Sequence, residues 1–416
     1  MTPRAFVVVT GSELVRGSRS DANGPFLAAE LTALGLEPAR ILIVGDDAAK
    51  LEEALREGLT ADLLVTSGGL GPTHDDRTVE LLARAAGLDA TVDPALEEEI
   101  ESVSRRIAER LGRPYADFVE GVRKQATLPA GGQSIGIAGT APGLVVETGK
   151  AVTVVLPGPP PELRRLWRAA LESAPVREVL ARAEPPRRSI LRTYGVGEST
   201  VASALADAGG EPAGAQVTIC AHDGEIWVEL FGEADELTRD LRERLAPAVF
   251  AEDDRSVEEL VLEDARAEGL GVAAAESCTG GLVAARLTSV PGSSDVFRGG
   301  VVAYANDVKH DQLGVPEKIL VEFGAVSAEA AEAMSLGVRS ALDAEVGVSV
   351  TGVAGPGGGS PGKPVGLVFL HAGGPGVELA RELRLPGDRE AVRRRATAAA
   401  LHLLREVLAQ SRHGPA

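Results

Sequence analysis

Two cysteines in 416 residues, Cys220 and Cys278, cannot build a disulfide framework, and their scarcity fits a reducing cytoplasm. Aromatic residues make up 3% of the chain and the formal net charge is −19. Little stacking surface and an excess of carboxylates argue against a broad nucleic-acid footprint and against attraction to an anionic membrane. Long apolar runs are missing too. The opening "AFVVVTG" is too short and too quickly broken by Gly for a signal peptide or a membrane anchor. Lysine is the scarcest cation: of 42 basic residues only Lys50, Lys124, Lys150, Lys309, Lys318 and Lys363 are not arginine. A lysine in a pocket is therefore informative here, because lysine can be deprotonated and arginine effectively cannot.

What is present is the composition of globular domains, with 44% apolar and 25% charged residues, in a chain too long for one ordinary core. Residues 1–172 alternate short apolar runs with capped helical stretches. Examples are "AFVVVTG", "NGPFLAAELTALG", "EPARILIVGDD", "AAKLEEALREGL" and "ADLLVTSGG". That rhythm predicts βαβ units and a mostly parallel sheet. Prolines and charge around residues 175–190 mark a boundary. Residues 173–252 then read as a small α+β module in which "HDGE" turns a hairpin between two alternating strands. Residues 253–416 repeat the α/β pattern and end in the strongly helical "DREAVRRRATAAALHLLREVLAQ". The fold class expected is α/β: two layered domains joined by the small module.

"TSGGLGPTHDDRT" (66–78) follows a strand and precedes a helix. In that geometry the backbone N–H groups of Gly68, Gly69 and Gly71, with the Thr73 hydroxyl, can hold a phosphate. The alternative is a tight loop whose aspartates cap the following helix. Asp75 and Asp76 could bring a divalent cation to that phosphate, as could Glu13 and Asp46 on neighbouring strand-end loops. Asp21, Asn23 and Asp47 belong to the same set of loops, where ligands of open α/β sheets gather. With "GTAPGL" (139–144) and "LPGPPPEL" (156–163), these residues resemble the molybdopterin-binding-like domain that opens proteins of the CinA family. The chain departs from the family pattern at Ser12 and Gly136. The resemblance implies hydrolysis of ADP-ribose to AMP and ribose 5-phosphate, assisted by Mg2+ or a similar cation. It makes Asp75, Asp76, Glu13 and Asp46 the metal ligands, with Asn23 and the glycines at the substrate.

"AESCTGG" (275–281) sits where an apolar strand meets a helix beginning at Thr279 or Gly280. Ser277 is placed to be exposed at a sheet edge, with backbone N–H groups behind it as an oxyanion hole. The competing role is helix capping. Cys278 is the rival nucleophile, since a helix N-terminus lowers a thiol pKa; Ser277 is preferred, with Cys278 packed beneath. A serine needs a base, and "VVAYANDVKH" supplies Tyr304, Lys309 and, less favoured, His310. "TGVAGPGGG" brings Thr351, Gly352, Gly355 and Gly357 to another strand end, and the last helix opens with Asp388, Arg389 and Arg393, arginines suited to a phosphate. Together these motifs resemble the C-terminal domain of the CinA family. That likeness implies a metal-free nicotinamide mononucleotide (NMN) deamidase in which Ser277 attacks, assisted by Tyr304 and Lys309, with Thr279, Gly280 and Arg389 at the substrate. The module resembles the K-homology-like domain between the two catalytic blocks. It has no GXXG loop and a net acidic composition, so a spacer or dimer element is expected rather than a nucleic-acid binder. The sum is a cytoplasmic homodimer of pyridine-nucleotide salvage. The competing expectation is a competence-linked adaptor acting through a protein partner.

Overall fold

The computed structural model describes residues 2–411, which form two compact units dividing at Pro186/Arg187. In the first unit β1 (Arg4–Thr10), β2 (Glu37–Val44) and β3 (Leu63–Ser67) lead the sheet. A two-stranded ribbon follows, β4 (Ala90–Val92) with β5 (Thr127–Pro129), and then β6 (Gln133–Ala138), β7 (Ala141–Thr148) and β8 (Ala151–Leu156). The six-stranded order is β2-β1-β3-β8-β7-β6. Pairs within β2-β1-β3-β8 are parallel, and β7 and β6 add an antiparallel edge.

The unbroken apolar reading of β1 has a physical cause: both of its faces are covered. Val7 and Val9 pack with Leu27, Leu31 and Trp167 on one side, whereas Phe6 and Val8 pack with Leu51, Leu55 and Leu81 on the other. Each such side chain contributes about 1.5–3 kcal/mol by leaving water. Residues 88–132, where the sequence pattern specifies no element, hold a long helix, Pro94–Leu111. Asp93 caps it by accepting from Leu96 N, Pro94 opens it, and Gly112 in the left-handed region ends it. Helix Ala174–Leu180 buries Val176 and Val179 in this same core, so the first unit runs past residue 172.

The second unit opens with β9 (Arg188–Tyr194), β10 (Gln216–His222), β11 (Glu225–Phe231) and β12 (Val249–Ala251), ordered β10-β11-β9-β12 and all antiparallel. Asp223 and Gly224, both at positive φ, form the two-residue turn between β10 and β11. This sheet leans on the long last helix, Arg389–Ser411, through a Tyr194–His402 ring stack at 3.7 Å and a buried His402–Glu225 contact at 2.9 Å. The module and the following α/β layer therefore make one unit. Its second sheet contains β13 (Val272–Glu276), β14 (Phe297–Val302), β15 (Val346–Gly352), β16 (Leu367–Gly374) and β17 (Val377–Arg384). The order is β14-β13-β15-β16-β17, parallel across the first three strands and antiparallel beyond β15. Val272 and Ala274 face the last helix, while Ala273 and Ala275 face Met334 and Val338. No helix among the described residues is long and apolar enough to cross a membrane.

Candidate functional site

β13 ends in a tight turn that carries Ser277. The turn is fixed by Ser277 N donating to Val350 O at 2.8 Å and Gly280 N donating to Ser277 O at 3.1 Å. Gly280 (φ 60°) and Gly281 (φ 99°) are both left-handed, a pairing that a side chain at either position would strain. The helix starts at Leu282, later than Thr279 or Gly280. β13 lies inside its sheet, and Ser277 is 8% exposed rather than open at an edge. The turn folds back into the layer, so the nucleophile candidate sits in a pocket floor.

Lys309 reaches that floor from helix Asn306–Leu313 and is 1% exposed. Its Nζ stands 3.0 Å from Ser277 Oγ, 2.7 Å from Ala303 O and 3.3 Å from Tyr304 O. Burial lowers its pKa below the ordinary lysine value, and among the described residues no carboxylate is bonded to it. An ammonium would donate to all three oxygens, and a neutral amine would donate to the two carbonyls and accept from the serine hydroxyl. Tyr304 contributes its carbonyl to Lys309, while its ring is 61% exposed and its hydroxyl accepts from Arg389 Nη2 at 3.1 Å. His310 is turned to Val315 O at 2.9 Å. Cys278 is packed in the core, where burial pushes its thiol up to about 11. Desolvation thus overrides the lowering expected from a helix N-terminus.

A cavity of about 280 Å³ is lined by Ser277, Lys309, Tyr304, Thr351, Gly355 and Arg389, with Gly352 and Gly357 in its loop wall. Arg389 also donates to Gly355 O at 2.8 Å, and Thr351 Oγ1 donates to Ala325 O at 2.6 Å. Thr279 and Gly280 are not on this wall. Thr279 is fully buried and its carbonyl accepts from Arg393 Nη2 at 2.7 Å, so Arg393 is committed to holding the turn. Asp388 caps the last helix through Ala391 N. The residue the sequence reading missed is Glu276. It is 1% exposed and accepts from Gly281 N, Val283 N and Ala284 N at 2.9, 3.1 and 2.9 Å. Its signal was available: a carboxylate closing a buried alanine strand has to be partnered.

In the first unit the Gly-rich loop leaves β3 and enters helix Thr78–Ala86, where Thr78 Oγ1 donates to Gly68 O at 2.8 Å. A Cβ at Gly69 would lie 2.1 Å from that hydroxyl, so close packing as well as its φ of 68° demands Gly there. A cavity of about 340 Å³ beside the loop gathers Glu13, Asp46, Asp75, Asp76 and the unanticipated Glu162, with Gly68, Gly69 and Gly71 on its wall. Burial raises the Glu162 pKa. Asp46 accepts from Ser12 N at 3.1 Å and Asp76 from Thr73 N at 3.0 Å, and Thr73 spends its hydroxyl on Asp75 and Asp76. Among the described residues no three His, Cys, Asp or Glu side chains converge on one point as a ready-made metal set. Asn23 donates to Ser67 Oγ and Gly158 O at 2.8 and 2.7 Å, tying two strand-end loops together beneath an adjoining cavity. Asp21 accepts from Asn23 N and Gly24 N, and Asp47 caps the next helix.

Fold and sites define a two-unit α/β protein whose second unit holds a buried serine–lysine pair. Residues 6–176 match the family described as probable molybdopterin binding domain, and residues 254–408 match the CinA C-terminal domain. The CinA-like protein of Mycobacterium leprae is 42% identical over 427 residues, covering 99% of each chain. That of Mycobacterium tuberculosis H37Ra is 42% identical over 429 residues and 98% of each. The chain belongs to the CinA-like family. A solved structure titled competence/damage inducible protein CihA, from Agrobacterium tumefaciens, is 42% identical over 38% of this chain and 99% of its own, with a TM-score of 0.36.

Proposed function

We propose that the second unit is a serine amidohydrolase that converts NMN to nicotinate mononucleotide and ammonia. The observation that carries this reading is the buried Ser277–Lys309 contact at 3.0 Å, with the lysine pKa lowered by burial. Neutral Lys309 takes the Oγ proton as Oγ bonds to the carboxamide carbon, whose π pair moves onto oxygen. When the tetrahedral adduct collapses, the C–N bond breaks and the Lys309 ammonium returns its proton to the departing ammonia. Water, deprotonated by the same amine, then cleaves the acyl ester and restores Ser277. Arg389, which donates to Tyr304 Oη and Gly355 O, would bind the 5′-phosphate. The test is ammonia release from NMN with EDTA present. Ser277→Ala is expected to abolish it and Cys278→Ala to retain it; a dead Cys278→Ala enzyme would reassign the nucleophile.

For the first unit the reading is metal-assisted hydrolysis of ADP-ribose. Its cavity offers carboxylate oxygens, the donors Mg2+ takes, and Mg2+ is commonly held by one or two carboxylates plus substrate phosphate. The residues fit in that sense: Asp75 and Asp76, with Glu13 or Asp46, would hold the ion, which would neutralise charge on the diphosphate. An apolar cavity of about 380 Å³, sharing Gly69, Gly71 and Asp76 with this site, suits the nucleoside end. AMP formation is expected to disappear on chelation while NMN deamidation persists; equal loss of both would defeat the assignment of two independent sites.

A further inference from the structure

Glu276 precedes the nucleophile candidate and is buried like the rest of β13. A carboxylate in that position is stable only if its lone pairs are met, and here three N–H groups at the start of helix Leu282–Ser289 meet them. The consequence falls on Ser277. Those donors, with the positive end of the helix dipole, are the obvious place for a developing oxyanion, and they are already taken. Gly280 N is taken as well, by Ser277 O, and Ser277 N by Val350 O. Among the described residues the N–H groups of Cys278 and Thr279 meet no acceptor on another residue, and of the two only Cys278 lines the Ser277 cavity. Leu282 lines a different cavity.

We infer that Glu276 is a positioning residue for the Ser277 chemistry. By occupying the helix N–H groups it locks the turn and leaves the Cys278 N–H as the donor for the oxyanion, the residue after the nucleophile serving that role. Arg393, on the Thr279 carbonyl, holds the same turn from the other side. Without Glu276, three unmet donors beside Ser277 would compete for the substrate carbonyl and draw in water. The inference rests on the amidohydrolase reading only for what the anion is.

A fluorophosphonate probe tests it independently of NMN: Ser277 Oγ bonds to phosphorus, fluoride leaves, and the serine proton passes to Lys309. In the full chain, Glu276→Gln keeps the size of the side chain but turns an N–H donor toward a backbone donor. Its second-order labelling rate is expected to fall about 10- to 100-fold, the scale of a nucleophile displaced by about 1 Å. The kcat for NMN should fall in parallel with KM held within about threefold. Glu276→Ala should fall further, and thermal melting fixes the folded fraction of each variant. Labelling of folded Glu276→Gln at the wild-type rate overturns the inference, as does a loss that follows the unfolded fraction alone. A wild type that labels but spares NMN defeats the amidohydrolase reading while the labelling comparison still decides the role of Glu276. A wild type that does not label overturns both.

Discussion

The Gly-rich loop after β3 and the turn after β13 start from one local plan: a buried parallel strand, a run containing left-handed glycines, and a helix. They differ in what burial does to the polar groups. At Ser277 the serine hydroxyl, the amine and the adjacent carboxylate are all at most 8% exposed, and each polar head has named partners. Beside the Gly-rich loop Asp75 and Asp76 are held mainly by one threonine and remain open to solvent on one side. Burial therefore lowers the pKa of the amine at one site, whereas at the other the Thr73 hydroxyl holds the Asp75 carboxyl below its usual range and burial raises that of Glu162.

The largest way to break that contrast is Lys309→Met, which keeps the stem and removes the base. We expect kcat for NMN to fall at least about 10³-fold with folding retained, because general-base contributions run to about 10²–10⁴. The pH profile gives the sign. Lys309 titrates below 10.5, and the neutral form is the base, so wild-type rate climbs as pH rises through its pKa and is lost as pH falls below it. That acid limb should vanish from the residual rate of the variant; an unchanged limb would place the base elsewhere. A smaller effect is expected at the mouth of the same cavity. Arg389→Ala should raise KM for NMN about 10- to 100-fold, as for a lost charge-assisted hydrogen bond, with kcat nearly preserved. Nicotinamide riboside, which carries no phosphate, should be indifferent to the substitution; equal losses for both substrates would remove the phosphate assignment.

The first unit should answer in stability instead. Asn23→Ala strips the donors from Ser67 Oγ and Gly158 O and is expected to cost about 1–3 kcal/mol. Denaturant melts of the full chain should show this as an earlier transition of the first unit. A melt that coincides with wild type would mean water replaces the amide, and the two loops would then be joined less firmly than the Ser277 turn.

Much of this was legible in the chain. Apolar runs placed β1, β3, β13 and β15, since a strand covered on both faces is apolar at most positions, with Thr66, Glu276 and Ser349 as buried polar exceptions. Asp223–Gly224 specified its hairpin because few residues adopt positive φ, and "AESCTGG" marked a strand-to-helix turn. The extent of the first unit was not legible: Val176 and Val179 look like any short amphipathic stretch until the core they fill is known. Nor was the commitment of Thr279 and Arg393 to each other, since they are 114 residues apart.

Sequence by itself determined which residues stand at the strand ends, because backbone conformation there follows from local pattern and from glycine. Tertiary structure alone decided which side chains meet and in which direction their pKa values move. Lys309 finds Ser277 across 32 residues, Tyr304 turns outward to Arg389, and burial raises the pKa of the Cys278 thiol. The reason is that pKa and orientation depend on the surrounding medium and on packed neighbours, and both are assembled only when the layers close.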